Sequence, residues 1–273
     1  MWSFFHKIRN LGNLALHRTR DARGGRPTER QLQVPQTDPR PAAGQTLPRN
    51  TMALAIFDLD NTLLAGDSDY LWGVFLAERG VVDPAEYERE NERFYREYLD
   101  GHLDIHEFLR FSLRVLKENS TEDLLRWREQ FVREKIEPIV TSRATALVNR
   151  HRTAGDTLLI ITATNSFVTS PIAERLGISH LIATIPEQRD GRFTGEVEGT
   201  PSFQDGKVRR LQEWLRELGG DLAGSTFYSD SHNDIPLLER VDHPVAVDPD
   251  EHLTRHATRK GWPIITLRDP QPG

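Results

Sequence analysis

MALAIFDLDNT, residues 52–62, is a short apolar run that ends in two aspartates two positions apart. An apolar run of this length that stops abruptly at acid is the pattern of a strand buried on both faces, delivering polar groups at its C-terminal edge. Asp58 and Asp60 lie at i and i+2 on an extended segment, so their carboxylates point the same way. Similar apolar runs recur at Thr157–Ile161, His180–Ile185, Ser225–Tyr228, Pro244–Val247 and Pro263–Leu267. Helical patterns lie between several of them. Arg143–His151 precedes the second run. Residues Lys207–Leu218 place Val208, Leu211, Trp214, Leu215 and Leu218 on one face, and Ile235–Arg240 is a short helix. Strands alternating with helices predict an α/β fold with a doubly wound parallel Rossmann-like sheet.

One interval breaks the alternation. Nearly 100 residues separate the first run from the second, and most of them carry helix signals. Asp83-Pro84-Ala85-Glu86 combines an N-cap, a first-turn proline and an acid at the third helical position. Asp104-Ile105-His106-Glu107 and Ser120-Thr121-Glu122-Asp123 repeat the cap-and-acid pattern. With Tyr70–Arg79 before them these predict four helices with apolar stripes such as Ile105, Phe108, Leu109 and Leu116. The reading divides the chain into an α/β catalytic core of residues 52–67 and 137–273 and an all-helical cap domain of residues 68–136, inserted after the first strand. Such a cap sits over the sheet's C-terminal edge, where α/β sites lie.

Charge is unevenly distributed. The chain of 273 residues carries 35 Lys and Arg against 41 Asp and Glu, for a net charge of −6. Residues 1–51 hold nine of the bases against three acids, leaving 26 against 38 for the remainder. Residues 21–51 have almost no large apolar side chains and are expected to be disordered. Residues 2–17 place Phe4, Ile8, Leu11 and Ala15 at helical spacing among basic neighbours. That segment reads as a targeting or membrane-surface helix, or as an extension upstream of a working start at Met52. Cysteine is absent, which removes disulfides, thiolate metal sites and cysteine nucleophiles together. Mean hydropathy is −0.56, and no stretch approaches the roughly 20 apolar residues that span a bilayer. A cytoplasmic protein without stable membrane insertion or a nucleic-acid partner is expected.

Phosphate monoesters are among the slowest esters to hydrolyse unaided, and their enzymes supply accelerations up to ~10²¹-fold. The chemistry needs a nucleophile, a proton donor for the leaving oxygen, cations for the phosphoryl charge and exclusion of water. The strand ends offer these in order. Asp58 and Asp60 form an acid pair whose two members can divide attack and proton transfer between them. Thr162 ends the second run, where its hydroxyl and nearby backbone N–H groups could meet phosphoryl oxygens. Lys207 opens an amphipathic helix after a loop. Asp230 and Asp234 stand four apart in a turn entering a helix, hard oxygen ligands of the kind that suit Mg²⁺.

At these residues the sequence resembles the haloacid dehalogenase-like hydrolases, and among them the phosphoserine-phosphatase-like subfamily whose cap follows the first motif. The resemblance spans about Met52 to Leu267. It implies Asp58 as nucleophile and metal ligand, and Asp60 as acid/base with its carbonyl on Mg²⁺. It further implies Thr162 and Lys207 as the second and third motif residues, Asp230 as metal ligand, Asp234 supporting metal or lysine, and Asn233 touching the phosphoryl group. Asp67-Ser68-Asp69, Asp190-Gly191-Arg192-Phe193-Thr194-Gly195 and Gly206-Lys207 resemble a branch that includes histidinol-phosphate phosphatases. The second motif reads Thr162-Ala163-Thr164 where close phosphoserine phosphatases have Ser-Gly-Gly. The fourth reads Ser-Asp-Ser-His-Asn-Asp rather than Gly-Asp-Gly-x-Asn-Asp, keeping both carboxylates.

The expected partner is a small phosphate ester, histidinol phosphate first and phosphoserine second. Asp67 and Asp69 either hold a cationic group on it or cap the next helix. His102 and His106, four apart, could pair on zinc or simply lie on the surface, and His232 faces solvent or substrate. Arg93, Arg110 and Arg114 could meet a substrate carboxylate or form a solvated face. A dehalogenase would share Asp58 but has little use for Asp60, Asp230 and Asp234. A signalling receiver module would be about half as long and lack the insert. A non-catalytic binding protein on the same fold tends to lose a charged motif residue, and none is missing here.

Overall fold

The computed structural model describes residues 53–100 and 102–269; the helix expected over 2–17 and the disorder expected over 21–51 lie outside them. Seven strands form one sheet in the order β4-β3-β2-β1-β5-β6-β7. They are β1 (Leu54–Phe57), β2 (Thr157–Asn165), β3 (His180–Arg189), β4 (Arg192–Glu198), β5 (Thr226–Ser229), β6 (His243–Val247) and β7 (Ile264–Ile265). All pairings are parallel except β3 with β4. β1 is central, with β2 on one side and β5 on the other. The direction of winding reverses there, which opens the crevice where α/β proteins build their sites.

Alternation along β1 divides the core into two layers. Ala55 and Phe57 face one cluster, which includes α5 (Ser142–Ala154) and α6 (Ser166–Arg175). Leu54 and Ile56 face the other, under α7 (Asp205–Leu218), α8 (Ile235–Leu238) and α9 (Glu251–Lys260). The predicted stripe of Val208, Leu211, Trp214, Leu215 and Leu218 is the buried face of α7.

Four helices follow β1: α1 (Ser68–Glu78), α2 (Pro84–Leu99), α3 (Ile105–Glu118) and α4 (Thr121–Phe131). Their starts obey local chemistry. Asp83 accepts from the Glu86 amide at 2.7 Å, Asp104 from those of His106 and Glu107, and Ser120 from that of Asp123. The insert leaves and re-enters the core at one place. Leu64 bridges Val140, and the Ala65 amide donates to the Ile139 carbonyl at 2.8 Å.

Three elements depart from the sequence reading. β4 was not anticipated, although Asp190-Gly191 is a strong hairpin signal: both residues take positive φ, 50° and 74°, between paired Arg189 and Arg192. The hairpin packs on α3, and its Val197 joins the Phe94, Phe108 and Leu109 cluster of the insert. α6 carries Pro171 within it and is rich in Ser and Thr, which hides its period. α9 buries only Leu253 and Ala257, too narrow a stripe to read. Among the described residues no helix is long and apolar enough to cross a membrane.

Phe94 is fully buried, with the Phe108 ring edge-on at 5.4 Å and the Phe111 ring at 5.5 Å. Phe94→Ala is expected to cost about 3–5 kcal/mol, read as a lower urea midpoint.

Candidate functional site

The nucleophile candidate is held by the sheet itself. The Asp58 amide donates to the Tyr228 carbonyl at 2.9 Å, carrying the β1–β5 ladder one residue past Phe57. The chain then makes a loose turn over Leu59–Leu63, all buried. Asn61 takes the left-handed conformation that Asn tolerates, φ 55°, and its amide bonds the Gly66 carbonyl at 2.9 Å. Arg268, just past β7, donates to the carbonyls of Asn61 and Thr62, fastening the turn from outside.

The strand end and that turn aim Asp58 and Asp60 into a small cavity that Thr162, Lys207, Asn233 and Asp234 also line. The Thr62 hydroxyl lies between Asp58 Oδ2 at 3.5 Å and Asp230 Oδ1 at 3.3 Å. Asp60 is turned the other way. Its Oδ1 accepts from the Ser68 amide at 2.7 Å, and its Oδ2 from the Thr164 hydroxyl at 2.7 Å and, more loosely, the Thr162 hydroxyl at 3.4 Å. The two acids of the opening motif therefore have separate surroundings.

Lys207 enters from the first turn of α7. Its ammonium donates to Asp58 Oδ1 and to Asp234 Oδ2, each at 2.9 Å, and all three side chains are buried. Burial alone would lower Lys207, but the Asp234 and Asp58 carboxylates outweigh it and hold the ammonium above the ordinary lysine range. The residue before it must be glycine. A Cβ on Gly206 would stand 2.1 Å from the Pro201 carbonyl oxygen. Ser229 donates to Asp234 Oδ2 at 2.7 Å, completing that carboxylate's alignment.

The structure brings Asp58, Asp60, Thr162, Lys207, Asn233 and Asp234 to one cavity, with Asp230 bonded to Thr62 beside it. Asn233 accepts from Gln204 Nε2 at 3.1 Å. Asp67 caps α1, its Oδ1 accepting from the Tyr70 amide at 2.9 Å. Asp69 lies in the same first turn and faces the interior of the insert, accepting from Ser112 at 3.0 Å. His232 is turned toward Asp250, Nδ1 to Oδ2 2.8 Å. Arg93 and Arg114 pair with Glu107 and Glu86, each at 2.8 Å. Among the described residues no group of three or more His, Asp or Glu side chains gathers as a metal site, so the His102 and His106 pair gains no third ligand. Sequence reasoning missed Thr164, Ser229, Gln204 and Arg268. Only Thr164 had a legible signal, alternating with Thr162 along β2.

Charge balance tests the site for a cation. Four buried carboxylates face one ammonium. Lys207 serves Asp58 and Asp234, while Asp230 is left with a buried Oδ2 that has no hydrogen-bond partner. Burial and the neighbouring Asp58 and Asp234 push Asp230 well above the usual carboxylate range. Asp58 and Asp230 could hold a hard divalent cation that would relieve the charge excess, and Mg²⁺ typically takes one or two carboxylates with waters and a substrate phosphate. Both carboxylate oxygens of Asp60 accept hydrogen bonds, so Asp60 would join through its carbonyl, while Asp234 Oδ2 already holds Lys207 and Ser229.

Residues 55–239 match the family described as haloacid dehalogenase-like hydrolase. A histidinol-phosphatase of Neisseria meningitidis is 47% identical, covering 79% of this chain and 99% of the relative. A phosphoserine phosphatase of Mycobacterium tuberculosis is 32% identical, covering 81% of this chain and 73% of the relative. The crystal structure of a protein of unknown function from Bordetella pertussis is 48% identical with a TM-score of 0.76, covering 80% of this chain and all of that one. A phospho-aspartyl intermediate analogue of phosphoserine phosphatase is 20% identical with a TM-score of 0.58, over 80% of this chain and 94% of that chain, and shares the fold.

Saturating Mg²⁺ is expected to raise the melting temperature by about 5–10 °C, as ligand at roughly 100 times its Kd would. Asp230→Asn abolishes that shift while leaving the metal-free protein at least as stable, because it removes a buried like charge. Differential scanning calorimetry with and without MgCl₂ measures both.

Proposed function

The chain belongs to the haloacid dehalogenase-like hydrolases, and from that premise we propose a magnesium-dependent phosphomonoesterase that works through an aspartyl-phosphate on Asp58. The observation that carries this reading is the Lys207 ammonium, 2.9 Å from Asp58 and from Asp234, in the cavity that also holds Asp60 and Thr162. Asp58 attacks phosphorus as the bond to the alcohol oxygen breaks, and protonated Asp60 gives that oxygen its proton. Asp60, now ionised, takes a proton from water. The water oxygen bonds phosphorus, Asp58 leaves as carboxylate, and inorganic phosphate is released. Ester and water become alcohol and phosphate, and both aspartates return to their starting states.

The partners of Asp60 suit this double duty. The hydroxyls of Thr164 and Thr162 accept as readily as they donate, so the contacts to Oδ2 survive its protonation. Lys207 orients Asp58 and absorbs charge as the phosphoryl group transfers. Asp58, Asp230 and the Asp60 carbonyl would hold Mg²⁺, which would supply Lewis-acid neutralisation of the phosphoryl oxygens. Asn233 would contact the phosphoryl group, and the helical insert, residues 68–136, would act as the lid over core residues 52–67 and 137–273.

For the substrate we propose an amino-alcohol phosphate, histidinol phosphate, in the cytoplasm. The 47% identity to the Neisseria histidinol-phosphatase, across nearly all of that relative, supports it. So do two acids, Asp67 and Asp69, at the entrance to the insert. Thr162-Ala163-Thr164 in place of Ser-Gly-Gly puts phosphoserine second.

Asp58→Asn is expected to lower turnover on the order of 10⁴-fold, measured as phosphate release from a panel of esters with Mg²⁺. Retained hydrolysis would sink the covalent mechanism, and a wild-type protein inert toward every ester would sink the phosphatase assignment. Thr164→Val removes one bond to the acid/base and should reduce kcat about 10- to 100-fold with KM little changed, in steady-state kinetics.

A further inference from the structure

The loop before α7 makes a turn that its own residues do not favour. The Gly206 amide donates to the Phe203 carbonyl at 2.8 Å, closing a β-turn whose second residue, Gln204, has φ 48° and ψ −120°. That is the first central position of a type II′ turn, which glycine takes without strain and a residue with a Cβ does not. Among the described residues the other non-glycine positions with positive φ are Asn61, Asp190 and Asp248. Asn and Asp are the types that tolerate such backbone, and glutamine is not.

The neighbours pin this turn on both sides. Ser202 is fully buried, and its amide donates to the Thr184 hydroxyl at 3.1 Å. The Phe203 amide donates to the Pro201 carbonyl at 2.9 Å, and Gly206 packs so close to that same carbonyl that no Cβ fits. What the strained backbone delivers is the Gln204 side chain, which lines the cavity of Asp58 and Lys207. Its Nε2 donates to Asn233 Oδ1 at 3.1 Å. Gln204 is exposed, so water competes for that bond and it adds little to stability. Stability alone would place glycine here, and strain kept at a cavity wall points to function.

Position ties the contact to the chemistry. Gln204 and Lys207 lie on one segment, Asn233 and Asp234 on another, so the Gln204–Asn233 bond is a second rung beside the Lys207–Asp234 pair at 2.9 Å. The Asn233 carboxamide is engaged at both ends: Oδ1 accepts from Gln204, and Nδ2 donates to the Ser231 hydroxyl at 3.2 Å. An anionic phosphoryl oxygen needs the donor end of an amide, and the hold on Oδ1 decides which end is presented. We infer that Gln204 is a positioning residue: its carboxamide fixes the orientation of Asn233 toward the phosphoryl group, and the strained turn is kept because it puts Gln204 there. The inference rests on the phosphomonoesterase reading and adds to it a residue outside the acid, threonine and lysine motifs.

Stability and activity should move in opposite directions. Gln204→Gly is expected to raise the melting temperature by about 2–4 °C while lowering kcat/KM for a phosphate ester about 10-fold. Gln204→Ala keeps the strain and loses the amide, so activity should fall equally with no gain in melting temperature. In an Asn233→Ala background, Gln204→Ala should cost less than about 2-fold more, because the two side chains act as a unit. Full activity in either single variant overturns the inference, as does a full second loss in the double variant or a lower melting temperature for Gln204→Gly. Inorganic phosphate, titrated calorimetrically with Mg²⁺ present, separates the inference from the reading beneath it: Gln204→Ala should weaken its binding about 10-fold. If the wild type hydrolyses no ester yet that weakening is seen, the phosphomonoesterase reading fails and the role of Gln204 stands. If esters are hydrolysed and neither turnover nor the titration responds to Gln204→Ala, the inference alone fails. A wild type that neither hydrolyses an ester nor binds phosphate overturns both.

Discussion

The structure turns on one buried ion triplet: the Lys207 ammonium between the Asp58 and Asp234 carboxylates, 2.9 Å from each. The three residues come from the end of β1, the start of α7 and the turn after β5. Separately each would be an unpaired charge in the core, and removing one partner from such a group typically costs about 3–5 kcal/mol. Together they hold the two sides of the central crevice in one register. Gly206 and Ser229 serve the triplet directly, one by letting α7 approach the Pro201 carbonyl and the other by bonding Asp234.

Around the triplet the chain separates two acids that a local view would treat as alike. Asp58 faces the ammonium and Thr62, while Asp60 faces hydroxyls and a backbone amide. The turn over Leu59–Leu63 achieves this with a left-handed Asn61 and a guanidinium from the far end of the chain. Attack and proton transfer need such a division, because two carboxylates in one environment would compete for one proton. The residual negative charge concentrates on Asp230, whose unpartnered oxygen fits the site for a hard divalent cation.

Most of the sheet edge was legible because its signals are local. An apolar run ending in acid, a Thr at a strand end and a Lys opening an amphipathic helix each report on a few neighbouring residues. The helix starts at Asp83, Asp104 and Ser120 were legible for the same reason. Thr164, Ser229 and Gln204 were not. Their roles depend on which strand end lies beside which, and a hydroxyl or amide in a loop has no pattern of its own. Arg268 is the extreme case, since it meets Asn61 and Thr62 across about 200 positions of chain. The β3–β4 hairpin was readable at Asp190-Gly191, but its packing on α3 was not.

By itself the sequence determined the order of most strands and helices, the place of the insert and the residue types available at each strand end. These follow from periodicity, capping and the chain's own order. Only the tertiary structure decided which neighbours each acid meets: Asp58 and Asp234 the lysine, Asp60 the threonines, Asp67 a helix start and Asp69 the interior of the insert. The physical reason is that a carboxylate's behaviour is set by what is buried against it. Those neighbours come from elements tens to hundreds of residues away, which no local pattern records.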